Sequence, residues 1–215
     1  MKLTAPKSAE EYFERTEHAV KHAYAGLASC WRYVEEAEKD ATPPVEKDGM
    51  LHYFPPQTPE EKARLERSLA AYQKYFELKI SEAMFAGSIL DAAYMAIKLY
   101  SGNVLIPPSC ANFVTASKKT VLPFCIGAER HGVPTGLIIY AGRNQYSHWD
   151  AGEPHEVTIA VFAALTRAFR DNMWADLAFD LGNPSINIYA GEVLLTALRW
   201  VSYDTYLAEM KQLLN

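Results

Sequence analysis

The chain has 215 residues, of which 49% are hydrophobic and 22% charged, and a formal net charge of −5. That composition excludes a disordered tail and supports a buried core. The acidic balance disfavours non-specific nucleic-acid binding, which needs clustered Lys and Arg. It leaves room for a small local basic pocket.

Taken in chain order, the first element is announced by Ser8-Ala9-Glu10-Glu11, a capping box. Tyr12, Ala19, Ala23, Leu27, Cys30, Trp31 and Val34 then recur at helical steps, which predicts a helix over about 8–39. Ala41-Thr42-Pro43-Pro44 ends it, and residues 41–57 read as a loop. Thr58-Pro59-Glu60-Glu61 repeats the start signal with Pro at the first helical position. The helix it opens is expected to reach about Ser101. Its second half, Ile80 to Tyr100, is apolar on most sides, as in the centre of a bundle.

Residues 102–134 carry repeated Gly and Pro and read as an irregular insertion, with short helical turns expected near 110–116 and 124–130. Pro134 to Trp149 reads as a third helix, although Leu137-Ile138-Ile139-Tyr140 could equally be a short buried strand. Glu153-Pro154-His155-Glu156 opens a fourth helix through about Phe179. Gly182-Asn183-Pro184 breaks it, and a last helix is expected over about 189–214. The predicted fold is all-α: one domain over 1–215, a bundle of four to five long helices with the insertion at about 102–134.

The N-terminal residues hold no apolar signal core, and no apolar run reaches the roughly 18 residues of a membrane span, so a cytoplasmic protein is expected. Cys30, Cys110 and Cys125 lack CxxC spacing and read as buried free thiols. The 13 Tyr suit half-buried surfaces and make a homodimer plausible.

One segment carries chemistry. Arg143-Asn144-Gln145-Tyr146-Ser147-His148, followed by Trp149-Asp150, places polar groups at the end of an apolar helix. On an ideal helix, five positions is a rotation of roughly 140°, so Arg143 and His148 converge only if the helix ends near His148. Gly152 and Pro154 favour such an ending. His suits proton transfer near neutral pH, and Arg offers a planar fork of donors to a phosphate. Metal-free cleavage of RNA needs both. A structural alternative has Arg143 paired with Asp150, with His148 bonded to a backbone carbonyl, simply closing a helix end.

This arrangement resembles the signature of the HEPN superfamily of helical domains: an Arg, a polar residue such as Asn, and a His separated from the Arg by four to six residues. Arg143, Asn144 and His148 match it. The resemblance covers about 40 residues. It implies an all-helical dimer and a metal-independent endoribonuclease, with His148 as acid–base, Arg143 as phosphate clamp, Asn144 as positioner, and Gln145, Tyr146, Ser147 and Asp150 near the substrate. Asp150 stands where toxin-type members often carry a modifiable Tyr. Arg15 and His22 fit the same spacing within an amphipathic helix. No metal and no cofactor is expected: His148, Asp150, His155 and Glu156 match no closed metal motif. The expected partners are RNA, a second copy of the chain, or a cognate protein, with no membrane. The competing function is a non-catalytic helical dimerisation or partner-binding module.

Overall fold

The computed structural model describes residues 4–41, 45–47, 50–52, 55–115, 118–150, 154–169, 179–183 and 188–215. The fold is all-α. Its helices are α1 (Ala9–Asp40), α2 (Pro59–Glu77), α3 (Lys79–Tyr100), α4 (Thr135–Ser147), α5 (Glu156–Phe169), a short α6 (Ala190–Glu192) and α7 (Tyr203–Leu214). Two small antiparallel hairpins accompany them, β1 (Val45–Lys47) with β2 (Met50–His52) and β3 (Glu129–Arg130) with β4 (Val133–Pro134). The chain packs as two compact units: residues 1–24 with 83–215, and residues 25–82.

Both predicted start signals act as caps. Ser8 Oγ accepts from the Glu11 amide at 3.2 Å, while the Glu11 carboxylate takes the Lys7 amide at 2.7 Å. At α2 the box closes fully: Thr58 Oγ1 accepts from the Glu61 amide, and Glu61 accepts from the Thr58 and Gln57 amides.

The long helix expected from Thr58 to Ser101 is two helices. Leu78 leaves helical geometry (φ −95°, ψ 0°), so α2 stops and α3 starts afresh. No Gly or Pro marks the break, which is why patterning ran across it. By length and composition α3 could span a membrane, and half of its apolar stretch is buried in the protein.

In the smaller unit, Glu82 is buried and saturated with donors. The Trp31 indole N–H reaches it at 2.9 Å, the Tyr75 hydroxyl at 3.0 Å and the Lys79 ammonium at 2.5 Å. These bonds are what lets a carboxylate stay inside.

In the larger unit, Leu137–Tyr140 is helical and buried, so the strand alternative fails. The turn expected near 110–116 is present as a single turn, with the Val114 N–H bonded to Cys110 O at 3.0 Å; the one expected near 124–130 is displaced, since 3₁₀ turns cover Pro108–Cys110 and Lys119–Phe124, and Glu129–Arg130 is a strand. Asn103 pins this segment, its amide donating to Leu105 O (2.8 Å) and Leu122 O (2.6 Å). The first amides of α4 find acceptors in the chain just before it: Thr135 N–H to Ala128 O, and Gly136 N–H to Ile126 O.

The single last helix is also overturned. After α6 the chain widens into a π turn (Val193–Ala197), and Arg199 takes a left-handed φ of 56° that stops the helix. Trp200 then drops into the core, where its indole N–H donates to Glu209 at 2.6 Å. Arg130 grips the same carboxylate at 3.1 and 2.8 Å. Gly152 and the expected opening residue Glu153, the stretch of the fourth helix beyond Phe169, and Pro184 lie outside the described residues.

Candidate functional site

The Arg143 segment forms the C-terminal half of α4 and lies against α3. Gly87, Asp91 and Tyr94 recur at helical steps of four and three on α3. Tyr146, Arg143 and Tyr140 answer them in the opposite direction along α4. A Cβ on Gly87 would overlap the Tyr146 ring, so Tyr146 packs directly over that glycine. Arg143 Nε donates to Asp91 Oδ1 at 2.9 Å. The Arg143 guanidinium sits 4.6 Å from the Tyr94 ring centroid, a cation–π distance. The Tyr94 and Tyr140 rings stand 6.1 Å apart and both contact Phe124, at 4.6 and 5.1 Å. The seam is therefore a ladder: Gly87 with Tyr146, Asp91 with Arg143, Tyr94 with Tyr140. Burial raises the Tyr140 hydroxyl pKa, and the nearby Tyr94 adds to this.

Asn144 and Gln145 point inward and are buried. Asn144 Oδ1 receives Arg143 at 3.4 Å. Gln145 Oε1 accepts the Tyr189 backbone N–H at 3.0 Å, tying α4 to the entry of α6. Ser147, His148, Trp149 and Asp150 are exposed. His148 is the C-cap of α4, with its backbone N–H donating to Asn144 O (3.1 Å) and Gln145 O (3.4 Å). Its ring neighbours His155 at 6.2 Å.

The helix does end at Ser147, as convergence required. Yet the His148 amide still bonds one helical turn back, and no hydrogen bond or ion pair joins its ring to Arg143 among the described residues. Arg143 takes Asp91, not Asp150, as its acid. Arg130, from the insertion, is bound to Glu209 and to Leu198 O at 2.7 Å. Among the described residues, no group of three or more His, Cys, Asp or Glu side chains is placed to hold a metal ion.

No protein-family model matches this chain, and neither a curated protein nor a solved structure does. The geometry alone therefore carries the functional argument.

Sequence reasoning missed Asp91 and Tyr94, the two partners that decide the state of Arg143. A signal was present. Asp91 is an isolated acid within the apolar half of α3, one helical turn beyond Gly87 and one short of Tyr94. A lone acid there marks where a basic side chain of another helix could pair with it, although Asp91 is itself half exposed.

A second feature is a cavity of about 860 Å³ in the larger unit, whose walls include neither Arg143 nor His148. It lies between the Pro108–Cys110 turn, the β3–β4 hairpin and α5.

Proposed function

We propose that the chain is a non-catalytic helical module that works by association with a second copy of itself. The observation that carries this reading is the state of Arg143. Its guanidinium is held by Asp91, stacked on Tyr94 and only 25% exposed, as a rung of the α3–α4 seam. A phosphate clamp would have to work through the terminal guanidinium nitrogens, beside a carboxylate that already offsets the charge. The associating surface is supplied by the smaller unit. Leu69 and Phe76 lie seven residues apart, on one face of α2, and are 58% and 67% exposed. Ile80, 68% exposed, follows at the start of α3. Large apolar side chains grouped in this way favour an interface.

The test is the mass of the chain in solution, by light scattering on a sizing column. The wild type is expected to elute as a dimer, and the Phe76→Asp/Ile80→Asp double variant as a folded monomer. A monomeric wild type would sink the proposal.

One observation favours a second reading, the HEPN-like endoribonuclease. The His148 ring is exposed and makes no hydrogen bond among the described residues, so a ligand can reach it. Incubating wild type and His148→Ala with a mixed RNA pool in excess EDTA separates the two. Under the association reading neither protein cleaves. Cleavage by the wild type alone would establish the nuclease and assign His148 to it.

A further inference from the structure

The cavity beside α5 is walled by small and polar side chains. Its floor is one face of α5, where Ala160, Ala163, Ala164 and Ala168 recur at helical spacing. This face is not the core stripe of α5, which is Val157, Val161, Phe162 and Leu165; Ala163 and Ala168 are exposed, and Ala164 alone of the four is buried. Four alanines leave it open, and the volume of about 860 Å³ is in the range of small-molecule sites.

The polar wall is equally specific. Glu129 of β3 and Arg167 of α5 both line the cavity. Both are exposed, and neither has a hydrogen-bond or ion-pair partner among the described residues. Two opposite charges thus border one cavity without meeting. Ser109 and Asn112 add neutral hydrogen-bonding groups on another side.

His131 completes the wall. Glu129–Arg130 and Val133–Pro134 are joined by His131-Gly132, with φ of 55° and 74°. A two-residue hairpin loop with both φ positive is a type I′ turn, which favours Asn-Gly. Turn chemistry does not ask for an imidazole here. The ring lies 4.3 Å from that of Phe169 and lines the cavity. Burial lowers the His131 pKa, and Arg199 and Arg130 lower it further, which favours a neutral ring that can both donate and accept.

We propose that this cavity binds an α-amino-acid zwitterion, free or as the ends of a short peptide. Arg167 takes the ligand carboxylate and Glu129 its ammonium group. His131, Ser109 and Asn112 supply neutral hydrogen bonds, and the alanine floor receives the apolar part. Only a ligand with one charge of each sign pairs both groups at once. Unlike the reading of Arg143, this proposal needs neither RNA nor a second copy of the chain.

The test uses the full chain and thermal unfolding with six millimolar pools: the free amino acids with uncharged side chains, random dipeptides of the same residues, and each of these two sets N-acetylated and, separately, C-terminally amidated. One of the two unblocked pools is expected to raise Tm, and which one does identifies the source. The blocked pools should not. Calorimetry with the active component should then show Kd weakened roughly tenfold or more in Arg167→Gln and in Glu129→Gln, as expected for losing a charge-assisted hydrogen bond. Circular dichroism checks that both variants fold. His131→Asn suits the I′ turn, so it should fold normally and bind more weakly. The proposal is overturned if neither unblocked pool shifts Tm, if a blocked pool shifts it as strongly, or if both charge variants bind like the wild type.

Discussion

Arg143 and His148 sit five residues apart and have opposite energetic standing. Arg143 makes a half-exposed ion pair with Asp91 and a cation–π contact with Tyr94. An exposed pair contributes about 0–1 kcal/mol, and a cation–π contact about 0.5–2 kcal/mol. Arg143→Ala should therefore lower unfolding stability by about 1–2 kcal/mol in a urea titration. His148→Ala removes an exposed ring that makes no hydrogen bond among the described residues and should change it by no more than about 0.5 kcal/mol. Equal losses in the two variants would mean that the ladder does not hold Arg143 as described. The thiols give a second prediction at this scale. Cys30, Cys110 and Cys125 are all buried and free, and burial raises each pKa, that of Cys125 to about 12. Thiolate is the reactive form, so none should react with a disulfide reagent in the native state, and all three should after denaturation. A rapidly titrating native thiol would refute that burial. The identity of the polar segment and the burial of the cysteines could be read from sequence. The partner of Arg143 could not, because residues 52 positions apart meet only through helix packing.

At the scale of elements, glycine decides how closely helices approach. Gly87 lies under the Tyr146 ring, and Gly142 of α4 lies under Val193 of the π turn. Gly136 is less forgiving, because a Cβ there would meet the Phe124 carbonyl, which is backbone and cannot swing away. Gly136→Ala should therefore cost more than Gly87→Ala, where a side-chain ring can shift. Overpacking of this kind typically costs about 1–3 kcal/mol, and the Gly136 variant belongs at or above the upper end. Thermal unfolding of the two variants side by side checks the order, and the reverse order would show that the α4 entry is more pliable than its hydrogen bonds suggest. The caps of α1 and α2 were legible because a capping box is local in sequence. The break at Leu78 and the stop at Arg199 were not. Neither carries Gly or Pro, and the stop at Arg199 goes with a tertiary contact, the bond of Trp200 to Glu209.

For the molecule as a whole, the two compact units differ in how their helices are buried. In α4, ten of its 13 residues are buried. In α2, of 19 residues, only Ser68 is buried. Opening free energy follows burial, so the units should not exchange amide hydrogens alike. The smaller unit rests on a short apolar set that includes Leu27, Cys30 and Ala37, and on the Glu82 cluster. Such a cluster stays favourable only while every member is satisfied. Amides of α2 are expected to exchange faster than those of α4 by roughly a hundredfold, equivalent to about 2.7 kcal/mol. Glu82→Ala removes the shared acceptor of the Trp31, Tyr75 and Lys79 donors and should accelerate exchange across 59–77 while leaving 135–147 nearly unchanged. Exchange read by mass spectrometry on peptides from the two helices measures both effects in one experiment. If the variant speeds exchange equally in both helices, the units open together and the chain folds as one cooperative block. If only α2 responds, the smaller unit is an independently opening element. A partner seated on Leu69, Phe76 and Ile80 would then slow α2 exchange by closing that unit, and dilution of the wild type should speed α2 exchange while leaving α4 unaffected.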